Sequence, residues 1–503
     1  MNAAAHLSVA DWFVVTLYLL GVVAFGTWIG RGQKSTRDYF LGSRNIPWWG
    51  VGMAIVATET SALTFIGVPA MAFAGNLAFI QIIIGYVLAR IVLAVVMVPH
   101  YFRGEVYSPY ELFANAFGAP ARRMAAGLFL LAGTLAAGVR VYVTCIPVQL
   151  IFGLREEQIL WAILLFVGLS LIYTYLGGVK AVIWTDAVQF GLFVLGGAFT
   201  LFWVPHLLEG GWREAWHAAA AGGKLEWFNG RFSWSAPFNI WMGVVGATFQ
   251  VLSSHGADQL IVQRVLTCGG VREGRKALLL SAVIIFPLML MFLGVGVMLW
   301  VYYQAHPGFP IPVPEARPGF PKDDYVFPIF IITALPPVLR GLLIVAILSA
   351  AMSSVSAALA ALASVSTMDF VKPLLRRERD AQWFLRFSRG STLFWAAWLV
   401  VVALLTRQVT SVLNAAFALN GLTSGALLGG LMLVVGWRRG PAAPVVVGMA
   451  VSLAAMTALH FRGGGVIYWP WYTLIGCVIT LVTAALTRAL LGGKKGAGTP
   501  DGG

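Results

Sequence analysis

The strongest constraint on this chain is the length of its apolar runs. A helix needs about 20 residues to cross roughly 30 Å of hydrocarbon. Such runs recur thirteen times, centred near residues 10–30, 47–73, 77–100, 122–150, 158–176, 183–207, 238–256, 276–302, 339–366, 390–406, 411–436, 442–460 and 467–490. Inside lipid every backbone N–H and C=O must be paired within the protein, and a continuous apolar run of this length satisfies that as a helix. The expected fold class is an all-α polytopic membrane protein with about 13 transmembrane helices. Composition agrees, since 59% of the 503 residues are hydrophobic and 11% are charged, against roughly 25% charged residues in soluble domains.

A net charge of +14 raises the question of a nucleic-acid partner, and the placement of the charges answers it. If the N-terminus lies outside, 23 of the 34 Lys and Arg residues fall in inward loops and nine in outward ones. That bias orients membrane proteins. It predicts an N-terminus outside and a C-terminus inside, in the cell (plasma or inner) membrane, with the lipid bilayer as partner, no nucleic acid and no obligatory protein partner evident. Residues 1–490 read as one transporter domain and 491–503 as a flexible tail; the proline-rich stretch 303–338 reads as an ordered or semi-rigid outer loop. The cysteines Cys145, Cys268 and Cys477 are too far apart for a CxxC or Cys/His cluster. The seven histidines show no ligand spacing, so no enzyme is expected.

Two spans are poor helices at their centres. One carries Thr58-Glu59-Thr60-Ser61 and the other Ser253-Ser254-His255-Gly256 followed by Asp258-Gln259. Polar interruptions at corresponding places in two halves of a transporter point to a midplane site, because unwound carbonyls and half-helix ends can hold ions and substrate; Ser and Thr hydroxyls that bond back to the preceding turn are the alternative. Five spans follow from each break, which makes 47–207 and 238–436 candidate inverted repeats. The ninth span adds Ser349, Ser353, Ser354 and Ser356. Three of these share a helix face, as helix packing would use them and as a cage of oxygens around a hard monovalent cation would also require.

Four motifs in order around these spans, RDYFLGSRNIPWW (37–49), GGVKAVIWTDAVQ (177–189), GADQLIVQRVL (256–266) and LPPVLRGLLIVAILSAAMSS ending in TMDF (335–370), resemble the sodium:solute symporter family over nearly the whole chain. The resemblance implies a LeuT-type inverted repeat of five plus five helices, with one helix ahead and two behind. It implies sodium-coupled import of a small organic solute, with sodium as the co-transported ion. Carried over residue by residue, the principal sodium position takes the carbonyls of Ala57, Thr60 and Ala350 and the hydroxyls of Ser353 and Ser354. Asp186 and Ser356 correspond to a second sodium used by some members, or to the exit path; the partner serine is Ala357 here. Positions that hold hexose contacts in sugar carriers are Thr64, Val251 and Phe417, and two of those cannot hydrogen-bond a polyol.

Glu59, Arg90, Arg140 and Asp186 are ionisable residues within or at the edge of spans, where unpaired charge is disfavoured. A guanidinium suits bidentate capture of a carboxylate, so Arg140 is read as the anchor of a carboxylate-bearing solute such as a monocarboxylate or amino acid, with Glu59 as its partner when the site is empty. Arg90 reads as a helix-packing cation. Gln81, Ser254 and His255 complete the candidate substrate residues. The alternatives left open are a sodium/sugar or other neutral-solute symporter, proton coupling through Glu59 or Asp186, and a non-transporting receptor or channel on the same scaffold.

Overall fold

Helix α1 (Val9–Ile29) begins where Ser8 and Asp11 close a reciprocal cap, each side chain accepting from the other's backbone N–H. A short α2 (Thr36–Leu41) and then Pro47 lead into α3 (Trp48–Glu59), which stops at Thr60. Helix α4 (Ala62–Ala74) continues at an angle of 56° to α3. The rest are α5 (Ile80–Val96), α6 (Val98–Tyr101), α7 (Tyr110–Phe117), α8 (Ala119–Ile151), α9 (Ile159–Trp203), α10 (Gly211–Ala221), α11 (Thr248–Gly256), α12 (Gln259–Val265), α13 (Val271–Ala305), α14 (Val326–Ala334), α15 (Leu339–Val365), α16 (Lys372–Leu374), α17 (Ala381–Leu405), α18 (Val412–Trp437), α19 (Ala442–Arg462) and α20 (Tyr472–Gly493). This computed structural model describes residues 7–151, 154–155, 158–308, 310–313, 315–317, 320–321, 323–375, 379–405, 412–462 and 467–493. The expected flexible tail beyond 493 and the side chain of Phe417 lie outside the described residues.

Among the described residues ten helices are long and apolar enough to cross a membrane, or eleven with the bent α3–α4 pair. The expectation was thirteen runs, and two local features account for the difference. Helix α9 has 45 residues and at about 1.5 Å per residue is about 68 Å long, yet it breaks inside at Gly178, whose φ is 56° and ψ −155°. A Cβ there would strike the carbonyl oxygen of Tyr39, so only glycine fits the turn. In the seventh apolar run, 238–256, a π-helical turn (Met242–Ala247) runs directly into α11, which ends at Gly256 before α12 begins at Gln259, so no helix there reaches spanning length. The outer loop contains a small antiparallel pair, Glu315–Arg317 with Phe320–Pro321.

Helix α15 is the centre of the bundle. Of its most apolar stretch 94% is buried, against 17% for α1 and 22% for the last span, and it packs on α9, α8, α1, α17, α3 and α4. Alanine, serine and glycine dominate it, and small side chains let neighbouring backbones approach closely. Its start is fixed by Asp11, whose Oδ1 accepts from the N–H groups of Val338 (2.9 Å) and Gly341 (3.0 Å). One carboxylate thus caps two helices.

The opposite end of α15 winds through a π-helical turn, Ser366–Val371, that buries Asp369. Arg122 donates from Nε to Asp369 Oδ1 (2.8 Å) and from Nη2 to the Met368 carbonyl (2.9 Å), and Ser108 Oγ donates to the same Asp369 oxygen (2.8 Å). Glu111 on α7 has a looser approach to Arg122 at 3.4 Å. Because that arginine is spent on Asp369, burial outweighs it and the Glu111 carboxyl is pushed up to about 7. A raised carboxyl pKa means that the folded state binds the proton more tightly than the unfolded one, so stability falls as pH rises from the usual carboxylate range through about 7. The melting temperature of the purified protein should therefore drop across that interval, and Glu111→Gln should flatten the drop; an unchanged pH profile in the variant would refute the assignment.

Candidate functional site

The break between α3 and α4 is made by diverted amides. In a continuous helix the N–H of Ser61 would bond the carbonyl of Ala57, and that of Thr64 the carbonyl of Thr60. Here Ser61 N–H donates to Glu59 O (3.0 Å) and Thr64 N–H to Ser61 O (2.9 Å). The Ala57 and Thr60 carbonyls lose their helical partners, and these are the two picked out in the sequence. Helix α15 packs against α3 and brings Ala350, Ser353 and Ser354, all buried. Ser354 Oγ bonds back to Ala350 O (3.2 Å) and Ser356 Oγ to Ser353 O (3.0 Å), the local bonding that hydroxyls inside helices commonly adopt. Ser353 Oγ and Thr60 Oγ1 are buried without a hydrogen-bond partner among the described residues. Leaving such a group unsatisfied costs about 1–3 kcal/mol, so this junction is short of partners for its oxygens.

Asp186 sits next to it, fully buried. Its Oδ2 accepts from Arg264 Nη2 (2.8 Å) and from Thr58 Oγ1 (3.4 Å). Its side chain lies beside Ser353, and Oδ1 is unpartnered among the described residues. In sequence Arg264 reads as one of the 23 inward loop cations, and the structure places it instead inside α12 as the counter-ion of Asp186. Only the packing of α12 beneath α3 could reveal that pairing.

A central cavity opens beside the two breaks. It is lined by Thr58, Glu59 and Thr64 from the first, by Ser254, His255 and Asp258 from the second, and by Arg140 and Tyr86 from α8 and α5. Five of the six substrate residues expected from sequence therefore meet in one place. Gln81 does not line this cavity. It is buried, donates to the carbonyls of Ala78 (3.2 Å) and Phe238 (3.4 Å) and accepts from Asn229 N–H (3.1 Å). It ties the start of α5 to the loop before the π-helical turn, a structural role that an isolated glutamine in an apolar run does not disclose.

The expected partner of Glu59 also changes. Glu59 Oε2 pairs with Arg90 Nη2, not with Arg140. Arg90 is completely buried and donates further to Ser281 Oγ (3.1 Å) and to the Tyr86 carbonyl (2.9 Å). The reason is geometric: α13 packs on both α3 and α5, which brings Arg90 over the end of α3 while Arg140 stays across the cavity. His255 Nε2 lies 3.0 Å from Arg90 Nη2 and its Nδ1 lies 3.0 Å from Ser254 Oγ. Since guanidinium can only donate, Nε2 is the acceptor and Nδ1 carries the proton. Thr64 Oγ1 donates weakly to Glu59 O (3.4 Å). Arg140 is half-buried, and no carboxylate forms an ion pair with it among the described residues.

A model of a protein family described as the sodium:solute symporter family matches residues 39–452. A sodium/sialic acid symporter of Proteus mirabilis is 28% identical over 495 residues, covering 96% of both chains. A human sodium/iodide cotransporter is 28% identical, covering 92% of this chain and 70% of its own. In three dimensions the chain is similar to the substrate-bound outward-open state of a Na+-coupled sialic acid symporter, with a TM-score of 0.85 at 26% identity over 96% of this chain and 98% of that one.

Proposed function

The chain belongs to the sodium:solute symporter family, and from that premise we propose that it imports a small carboxylate-bearing solute, anchored on Arg140, together with sodium. Membership makes it a multi-pass membrane transporter with a LeuT-type fold and not an enzyme, with sodium and a small solute as its substrates. The observation that carries the solute class is the Arg140 guanidinium, which faces the cavity without a carboxylate partner among the described residues. A half-buried cation in that condition invites an anion, and the fork of a guanidinium matches a carboxylate with two parallel hydrogen bonds. Sialic acid is a carboxylic acid and iodide an anion, so what these relatives are named for supports the reading.

For sodium the reading takes the freed carbonyls of Ala57 and Thr60 with Ala350 O and the hydroxyls of Ser353 and Ser354. A shell of neutral oxygens suits a hard monovalent ion. Asp186 and Ser356 are assigned to the exit path and not to a second ion, because Arg264 holds one Asp186 oxygen and the Ser356 hydroxyl is bonded within its own turn. The reading keeps thirteen crossings, counting α9 twice across the Gly178 break and 238–256 once, with 47–207 and 238–436 as inverted repeats, the N-terminus outside and the C-terminus inside. Sodium between the α3 break and α15 and solute on Arg140 favour the same arrangement of the bundle, and coupling requires nothing more than that shared preference.

Arg140→Lys keeps the charge and removes the fork. In proteoliposomes with an imposed sodium gradient it should raise the half-saturation concentration of a carboxylate substrate roughly 10- to 100-fold, as expected for a lost charge-assisted bond, while sodium still stabilises the protein. Unchanged uptake kinetics would exclude Arg140 as the anchor.

A further inference from the structure

The second break places an acid in the same cavity as Arg140. Asp258 is the N-cap of α12: its Oδ1 accepts from Leu260 N–H at 2.8 Å. The residue is half-buried and lines the central cavity. It shares that cavity with Arg140 and Glu59. Glu59 is neutralised by Arg90, but among the described residues no ion pair closes between Arg140 and Asp258. Two opposite charges thus line one cavity, whose wall also carries the apolar Val68, Leu260, Ile261 and Met289 and the polar Gln250, Ser254 and Asn420.

From this geometry we infer that Asp258 determines specificity, accepting a hydrogen bond from an ammonium or hydroxyl group on the carbon next to the carboxylate that Arg140 holds. The inference rests on the carboxylate reading above and narrows it to α-amino and α-hydroxy acids. A plain carboxylate on Arg140 would add a second negative charge to the cavity that Asp258 lines, and like charges in a partly desolvated site repel strongly. An ammonium on the α-carbon cancels that repulsion, a hydroxyl offsets part of it through a hydrogen bond, and either one satisfies the free oxygen. Unmet polar groups in a binding site penalise ligands that lack the matching group far more than a lost apolar contact does.

The test uses acids matched in size: alanine, lactate and propionate; phenylalanine, phenyllactate and phenylpropionate; and N-acetylneuraminate with its dehydrated glycal, which lacks the anomeric hydroxyl. Each is scored by its sodium-dependent shift of melting temperature in the full-length protein. At least one series should show the donor-bearing member binding about tenfold or more tighter than its partner. In Asp258→Asn the amide oxygen serves the α12 cap, for which asparagine is as good as aspartate, and turns its NH2 to the cavity, where it cannot accept. The preference should then vanish while stabilisation by sodium persists. Equal binding of donor and donor-free members in the wild type overturns the role of Asp258, whether or not the variant folds, and leaves the Arg140 reading standing. No sodium-dependent shift from any of these acids overturns the carboxylate reading, and the role of Asp258 falls with it.

Discussion

Arg90→Leu is expected to destabilise the protein by about 3–5 kcal/mol, the loss typical when one partner of a buried ion pair is removed and the other is left charged. Arg90 is completely buried and joins three helices: Glu59 at the end of α3, Ser281 on α13 and the Tyr86 carbonyl on its own α5. Removing it takes away the one guanidinium that Glu59 pairs with and leaves only His255, whose Nε2 lies 3.7 Å from Glu59 Oε2, on that side of the carboxylate. Adding Glu59→Gln should restore much of the loss, because a neutral pair can be close to isoenergetic with an ionic one at a buried site. Melting temperatures of the two single variants and the double variant measure this directly. Additive losses would show that the two side chains do not act as a pair.

The second large effect concerns sodium. Ser353→Ala removes the buried hydroxyl at the α3–α15 junction that lacks a protein partner among the described residues. A hydrogen bond or ligand contact to a charged group contributes about 1.5–3 kcal/mol, so the sodium concentration for half-maximal uptake should rise roughly 10- to 150-fold. Ser354→Ala should act in the same direction and less strongly, since the Ser354 hydroxyl already has Ala350 O as its partner. Because one charge moving through 100 mV is worth about 2.3 kcal/mol, an inside-negative potential should partly rescue Ser353→Ala. Uptake that ignores sodium in the wild type would remove the ion from this junction altogether.

Much of this was legible in the residues themselves. Continuous apolar length specifies membrane helices because lipid offers the backbone no other partner, and a run of Thr-Glu-Thr-Ser within such a span marks where the helix fails. The carbonyls of Ala57 and Thr60 follow from that failure and from the family motifs, and the diverted amides of Ser61 and Thr64 supply its mechanism. Arg140, Thr64, Ser254 and His255 were likewise found together in one cavity.

What the sequence could not decide was pairing. Glu59 had two arginines within reach of argument, 31 and 81 positions away, and α13, packed on both α3 and α5, joins it to Arg90. Asp186 and Arg264 stand 78 positions apart, and in sequence the arginine looks like one more inward loop cation. Gln81 reads as a cavity residue until its bonds to Ala78, Phe238 and Asn229 are seen. A hydrophobic run says that its residues leave water, because that is a property of each side chain summed along the chain. Which buried charge meets which is set by the angles at which helices cross and by where Gly178 and Thr60 bend them. That is a property of the assembled bundle, and only the tertiary structure could supply it.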